Sequence, residues 1–283
     1  MANRGDPSAL RWLIGVELHN YRKRAGRTLA AAAKELGCTA GMVSHFEKGL
    51  HFPQPAQIDG MLSFYGAPAW DVERLSSLAG RAEQSSWLAR WNDIIPDWTK
   101  TFVGLEGLAS HEITYSPLAL HALVQTEAYS IGGTTGSARV RPDQVERLVS
   151  LRMERQRRLF TDTDRLRLTA IIEESVLDRP IGGAVTMRAQ LQHLVELSVR
   201  DNVDILVLPT AIGRHDSLEG AFSVLHFEQA QSIGYIEYPD GAIYVQDQVQ
   251  VGAYTRTAES LYSVALPQDE SVEAITARLA AFT

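Results

Sequence analysis

The sequence predicts a two-domain chain, an all-α N-terminal bundle followed by an α+β domain with a mainly antiparallel sheet. Three observations carry this. Residues 8–82 hold short apolar-periodic segments punctuated by glycine, the rhythm of small packed helices. Further on, β-rich runs crowd together between residues 203 and 245, with helical patterns before and after them. Charge divides the same way: residues 1–54 hold eight Lys/Arg against four Asp/Glu, a balance of 8 − 4 = +4, so the remainder carries −7 − 4 = −11. A basic segment on an acidic body suits a nucleic-acid-reading module attached to a domain of another kind.

In the N-terminal part, Leu10, Leu13, Ile14, Leu18 and Tyr21 recur at helical spacing and predict a helix over 10–25, stopped by Gly26. Thr28 caps a second helix over 29–36, where Ala30 to Ala33 allow close approach. Gly37 ends it, and Thr39 caps a third over 40–48, closed by Gly49. Two short helices across the turn at 37–39 make a helix-turn-helix pattern. Two further helices, over 54–65 and 70–79, complete five.

Residues 83–110 form a Trp-rich linker in which Trp87, Trp91 and Trp98 are expected to anchor one domain against the other. The domain of 111–283 then opens with "EITYSPLALHALVQTEAY" and a polar loop over 132–137. A charged helix follows over 142–160, whose Arg152, Arg155, Arg157 and Arg158 read as a solvated face. A strand over 166–173 and an amphipathic helix over 187–199 come next. Strands over 203–208, 221–227, 233–238 and 242–245 follow, the last two joined by a turn at Pro239-Asp240-Gly241. Helices over 247–264 and 269–281 finish the domain.

Composition excludes several classes. At 45% hydrophobic and 22% charged, the chain is ordinary for a globular protein. No apolar run reaches the roughly 18 residues that span a bilayer. The one cysteine, Cys38, rules out an internal disulfide framework and fits a reducing cytoplasm, the expected location. Only four of the 27 basic residues are lysine, a bias that with abundant alanine suggests a G+C-rich bacterial genome.

The run "LHNYRKRAGRTLAAAAKELGCTAGMVSHFEKGLHFPQ" resembles the Xre family, the repressor/Cro type of bacterial and phage helix-turn-helix regulators. Its marks are the opening Thr28, the Leu36-Gly37 turn and Val43-Ser44-His45-Phe46-Glu47-Lys48-Gly49 in the third helix. The resemblance implies a lambda-repressor-like bundle that binds a double-stranded DNA operator as a homodimer. A recognition helix places its N-terminal part in the major groove, which makes Ala40, Gly41, Ser44 and His45 the candidate base-edge residues. Arg27, Lys34 and Lys48 are candidates for phosphate contacts, while Thr28 and Thr39 sit at the interface as caps. Val43 and Phe46 are expected in the core, and Glu47 is expected to pair with Arg22 or Arg24. Leu29 departs from the family, where Gln is common. With Ala40 and Gly41 as sparse readers, DNA shape is expected to carry part of the selectivity.

Nearly the whole chain is also similar to a bacterial group that fuses such a domain to an antitoxin-like domain of unknown function. The shared pieces include Trp98 to Glu106, Tyr115-x-Pro117, Leu123-x-Gln125-Thr126-x-x-Tyr129, Arg152-x-x-Arg155-Gln156, Met187-x-x-Gln190-Leu191 and Gly220-x-Phe222. His121-Ala122 stands where Pro-Gly is usual. This likeness implies a transcription regulator controlled through its C-terminal domain by a protein partner or small molecule. An antitoxin that sequesters a small protein encoded nearby is the alternative. Gln125, Thr126 and Tyr129 are the candidate partner- or ligand-binding residues, expected on one helical face. Neither an enzyme motif nor a cofactor signature is present. His215-Asp216 near Glu219 matches no standard metal spacing, and the chain is expected to be neither an enzyme nor a cofactor binder.

Overall fold

The computed structural model describes residues 6–79 and 87–282. Arg4 and the boundary expected at 82–83 lie outside the described residues. The N-terminal bundle has the five helices anticipated: α1 (Pro7–Arg24), α2 (Leu29–Leu36), α3 (Ala40–Glu47), α4 (Pro55–Phe64) and α5 (Ala69–Ala79). Asp6 caps α1 with its carboxylate, and Pro7 costs nothing at a first-turn position whose N–H has no partner in any helix. The Thr28 and Thr39 hydroxyls accept from the Ala31 and Met42 amides at 3.1 and 3.2 Å, which fixes where α2 and α3 start.

α1 is apolar on two sides. Leu10, Ile14, Leu18 and Tyr21 enter the bundle core with Val43, Phe46, Ile58 and Leu62. Ala9, Leu13 and Val16, roughly a third of a turn away, enter the core of the C-terminal domain. Leu13 therefore belongs to the second face, where the single stripe expected from the sequence had grouped it with the first. α6 (Asp97–Glu106) lies against this second face so closely that a Cβ on Gly104 would stand 2.6 Å from that of Ala9.

After α6 come β1 (His111–Ser116), α7 (Glu127–Thr134), α8 (Val145–Gln156), β2 (Arg167–Glu173), α9 (Ala184–Ser198) and β3 (Val203–Leu208). Then follow β4 (Phe222–His226), β5 (Ile233–Tyr238), β6 (Gly241–Val245), α10 (Gln248–Val264) and α11 (Gln268–Leu279). The six strands lie in the order β3-β2-β1-β4-β5-β6. β1, β2 and β3 run parallel, and the three pairings β1–β4, β4–β5 and β5–β6 are antiparallel, so the sheet is mixed and mostly antiparallel. Side chains alternate across it. Leu168, Ala170 and Ile172 enter the large core, while Ile171 joins Tyr115, Leu206 and Phe222 on the side packed by Ala258 and Leu261 of α10.

Several expectations need correction. β1 was not anticipated as a strand. The polar stretch over 132–137 is helical as far as Thr134, because Gly132 packs directly on Gly182, 2.5 Å from a would-be Cβ to its Cα. The helix expected over 142–160 is regular only from Val145 to Gln156 and is flanked by 3-10 turns. Arg155 and Arg158 on it are buried, and only Arg157 of that run is solvated. Trp91 is buried, edge-on to Trp87 at 5.6 Å, in the same core that receives α1. No helix among the described residues is long and apolar enough to cross a membrane.

Candidate functional site

The α3 surface follows from helical phase. Val43 and Phe46 point inward and are buried with Glu47 beside them, which turns the remaining residues of α3 outward. Thr39, Ala40, Gly41, His45 and Lys48 are exposed and Ser44 is half-buried; Arg27, Thr28 and Lys34 are exposed beside them. All nine candidate DNA-binding residues thus lie in α2, α3 or the turns at their ends. Glu47, the acid within α3, is withdrawn from this surface. Arg22 Nη2 donates to its carboxylate at 2.7 Å, His19 Nδ1 lies 2.9 Å away, and the Arg22 and Glu47 side chains are 7% and 5% exposed. Glu35 remains exposed on α2. Met42, 39% exposed, and His51, whose ring lies 5.1 Å from that of His45, flank the face and were not anticipated. Their exposure depends on where α3 meets the following loop, which the sequence pattern does not encode.

The three C-terminal candidates separate. Thr126 is the N-cap of α7, its hydroxyl accepting from the Tyr129 amide at 3.2 Å. Tyr129 is a core residue, 1% exposed, its hydroxyl accepting from the Leu120 amide at 3.3 Å. Gln125, just before the α7 cap, alone lines a cavity. The expected shared helical face does not exist, because the chain passes from a 3-10 turn through extended Gln125 and Thr126 before α7 begins.

That cavity, of about 390 Å³, lies between α6, α8 and the sheet. Its floor is set by register. Glu112, Thr114 and Ser116 of β1 pair with Leu168, Ala170 and Ile172, which places them on the helix-covered face of the sheet. Thr114 in turn faces Ser223, and Ser223 faces Tyr235. A polar row thus crosses an otherwise apolar face. Phe102 stacks on Tyr235 at 4.0 Å, and Arg152, Arg155 and His121 reach in from the helices and the 120–126 segment.

Charges beneath the cavity are mostly paired. Arg155 binds Glu106 through two nitrogens, with Nη2 to Oε2 at 2.6 Å and Nε to Oε1 at 3.0 Å. Arg158 donates to the Glu106 and Ala109 carbonyls at 2.7 and 2.9 Å. Glu112 is fully buried, and its Oε1 lies 3.4 Å from His121 Nε2. Burial, reinforced by the Glu106 charge, pushes the Glu112 carboxyl well above the usual carboxylate range. Burial, with Arg155 and Arg152 nearby, pushes His121 down to about 3. Glu106, Glu112 and His121 bring three potential metal-ligand atoms within 4.8 Å of one another, although both Glu106 oxygens are engaged by Arg155. His215, Asp216 and Glu219 form no such group; His215 instead packs edge-on to Tyr115.

Comparison with known proteins fits this division. Residues 13–75 match a family model described as a helix-turn-helix domain. Residues 99–277, well over half of the chain, match the model described as Domain of unknown function (DUF5753). The chain belongs to the DUF5753 family. No curated protein and no solved structure matches it. The DUF5753 region holds most of the cavity wall, its buried charges and the whole sheet, and the helix-turn-helix domain holds every candidate DNA contact. This is a DNA-binding regulator with a helix-turn-helix domain joined to a DUF5753 domain. Sequence reasoning missed the cavity row of β1, β4 and β5 because residues 111–116 were not anticipated as a strand, so Glu112, Thr114 and Ser116 had no face assigned. The available signal was the alternation of Glu112-Ile113-Thr114-Tyr115-Ser116.

Proposed function

We propose that the protein is a sequence-specific transcription regulator of the Xre type, acting as a homodimer on a DNA operator and controlled through its DUF5753 domain by a small molecule. It is a binding protein and not an enzyme. The observation that carries this reading is the exposed face of α3, small and cationic, with its one acid neutralised behind it. Ser44 and His45 read base edges, Ala40 and Gly41 allow close approach, and Lys48, Arg27 and Lys34 hold phosphates.

Support for control from the second domain comes from a continuous run of aromatic contacts. Phe102 in the cavity wall stacks on Tyr235, Tyr235 lies 5.2 Å from Tyr244, and Tyr244 lies 5.1 Å from Trp12 of α1. The Trp12 backbone is the surface on which the end of α3 rests. Gly49, at φ 65°, approaches so closely that a Cβ there would stand 2.6 Å from the Trp12 Cα. A change in the cavity wall therefore has a packed route to the recognition helix.

The test is a gel-shift titration on the protein's own promoter region against unrelated DNA. Ser44→Ala with His45→Ala should weaken specific binding much more than non-specific binding, at roughly 1–3 kcal/mol per base contact. Lys48→Ala should weaken both alike and flatten the salt dependence. Wild-type affinity in both variants would refute the assignment of α3.

A further inference from the structure

The cavity of the DUF5753 domain is lined by a cation and an anion that form no ion pair among the described residues. Arg152 of α8 projects into its wall, and Nη1 donates to Ser130 Oγ at 3.0 Å and to Thr134 Oγ1 at 2.8 Å. A guanidinium has five N–H donors, so the Nε hydrogen and both Nη2 hydrogens remain for something else. Among the described residues Arg152 forms no ion pair, unlike Arg155 one turn further on, whose charge is paired with Glu106. Glu237 of β5 also lines the cavity, is exposed at its rim, and forms no ion pair among the described residues. The two charges feel each other but do not meet. The cavity also holds the buried Gln125 Oε1, an acceptor that lacks a partner among the described residues, and the Tyr235 hydroxyl, which lies within reach of the Glu237 carboxylate. Gln125 is otherwise held rigid, its Nε2 donating to the Leu120 carbonyl at 2.7 Å.

A half-buried guanidinium without a counter-charge bears part of the cost of desolvation unless a ligand supplies one. The size of the space, about 390 Å³, falls in the range of small-molecule sites, roughly 300–1,000 Å³. The charge of Glu237 at the rim argues against a dianionic phosphate group, and Arg155, already paired with Glu106, supplies no second cation for one. Among the described residues, one cavity cation without an ion pair matches one carboxylate. An opposed free anion and a free carbonyl oxygen match an ammonium group.

The geometry points to this cavity as the binding site of a small zwitterion of the amino-acid class. The ligand carboxylate is held by Arg152, its ammonium group by Glu237 and Gln125 Oε1, and its side chain lies along the Phe102 and Tyr235 rings. This deepens the regulatory reading above and rests on it for its biological meaning, but the binding itself is measured without DNA.

The experiment uses the full-length protein and the twenty common L-amino acids, each at 10 mM, in thermal-shift assays followed by calorimetry on those that act. At least one amino acid is expected to raise Tm by several degrees. Its carboxamide and its N-acetyl derivative, which each lose one charge, should bind at least tenfold more weakly. Arg152→Met and Glu237→Gln should each lower affinity at least tenfold, with Arg152→Lys recovering part of the loss, and circular dichroism checks that each variant is folded. If none of the twenty binds, or if the neutralised derivatives bind as well as the parent, the proposal is overturned. A protein that binds an amino acid in this way but ignores promoter DNA would sink the regulator reading alone.

Discussion

At the residue scale, the side chains that matter most are charges placed where charges are costly. Glu112 is the clearest, an acid buried on the covered face of the sheet beside Ser223 and His121, with no arginine or lysine bonded to it among the described residues. Its raised pKa means that the folded state keeps a proton that the unfolded chain gives up. Stability is therefore fully supported below the ordinary carboxylate range and falls as pH rises toward the raised value. His121 works in the opposite direction. Held neutral down to about 3, it contributes stability above its ordinary pKa that is lost progressively as pH falls from there through about 3. Urea unfolding of Glu112→Gln, compared with wild type across pH 5 to 9, should show the alkaline decline reduced while the acid side is unchanged. Parallel profiles for the two proteins would show that Glu112 is not the group responsible.

At the element scale, polar residues of α8 and α9 within the DUF5753 region turn out to be clamps on one irregular segment, 120–126. Gln156 of α8 donates to the Ala122 and Gln125 carbonyls, both at 2.7 Å. Gln190 of α9, with no exposed surface, accepts from the Thr126 amide at 2.6 Å and donates to the Val124 carbonyl at 2.7 Å. An extended stretch buried under two helices has no ladder of its own, so side-chain amides must satisfy its backbone. Gln190→Ala leaves two buried backbone groups without partners and should destabilise the protein by about 2–3 kcal/mol. Thr126→Ala removes only a helix cap and should cost about 1 kcal/mol. Equal losses in chemical denaturation would contradict the clamp. This segment is also where Gln125 meets the cavity, so the clamps hold a candidate ligand contact in place.

At the scale of the molecule, the helix-turn-helix domain is fastened to the DUF5753 domain through α1. Glu17, fully buried, receives Arg74 Nη1 at 3.2 Å and the Gln231 amide at 2.7 Å, while Arg74 also engages Asp71 and the Gln229 carbonyl. Asn20 Nδ2 donates to the Gln246 carbonyl at 3.1 Å, and Trp12 lies against Tyr244. With α1 shared between two cores, both parts should unfold in one transition, reported alike by tryptophan fluorescence and far-ultraviolet circular dichroism. Arg74→Met leaves Glu17 buried without its cation, at a cost of about 3–5 kcal/mol, and should separate the two signals. Two separate transitions already in the wild type would show that the domains are not mechanically joined.

By itself the sequence determined the parts that depend on local chemistry. The caps at Thr28 and Thr39, the glycine stops, the five helices, the inward Val43 and Phe46 and the Arg22–Glu47 pair all follow from residues within one small bundle. Most strands were legible too, because their alternation and turns are local. Tertiary structure alone decided what depends on distant partners: that β1 is a central strand, that Arg155 and Arg158 are buried, that α1 serves two cores, and that Arg152 and Glu237 share a cavity. A charged or polar residue carries the same signal whether it faces water or a buried counter-charge. Only the register of β1 against β2 and β4, and the packing of α6 and α8 over them, distinguishes the two.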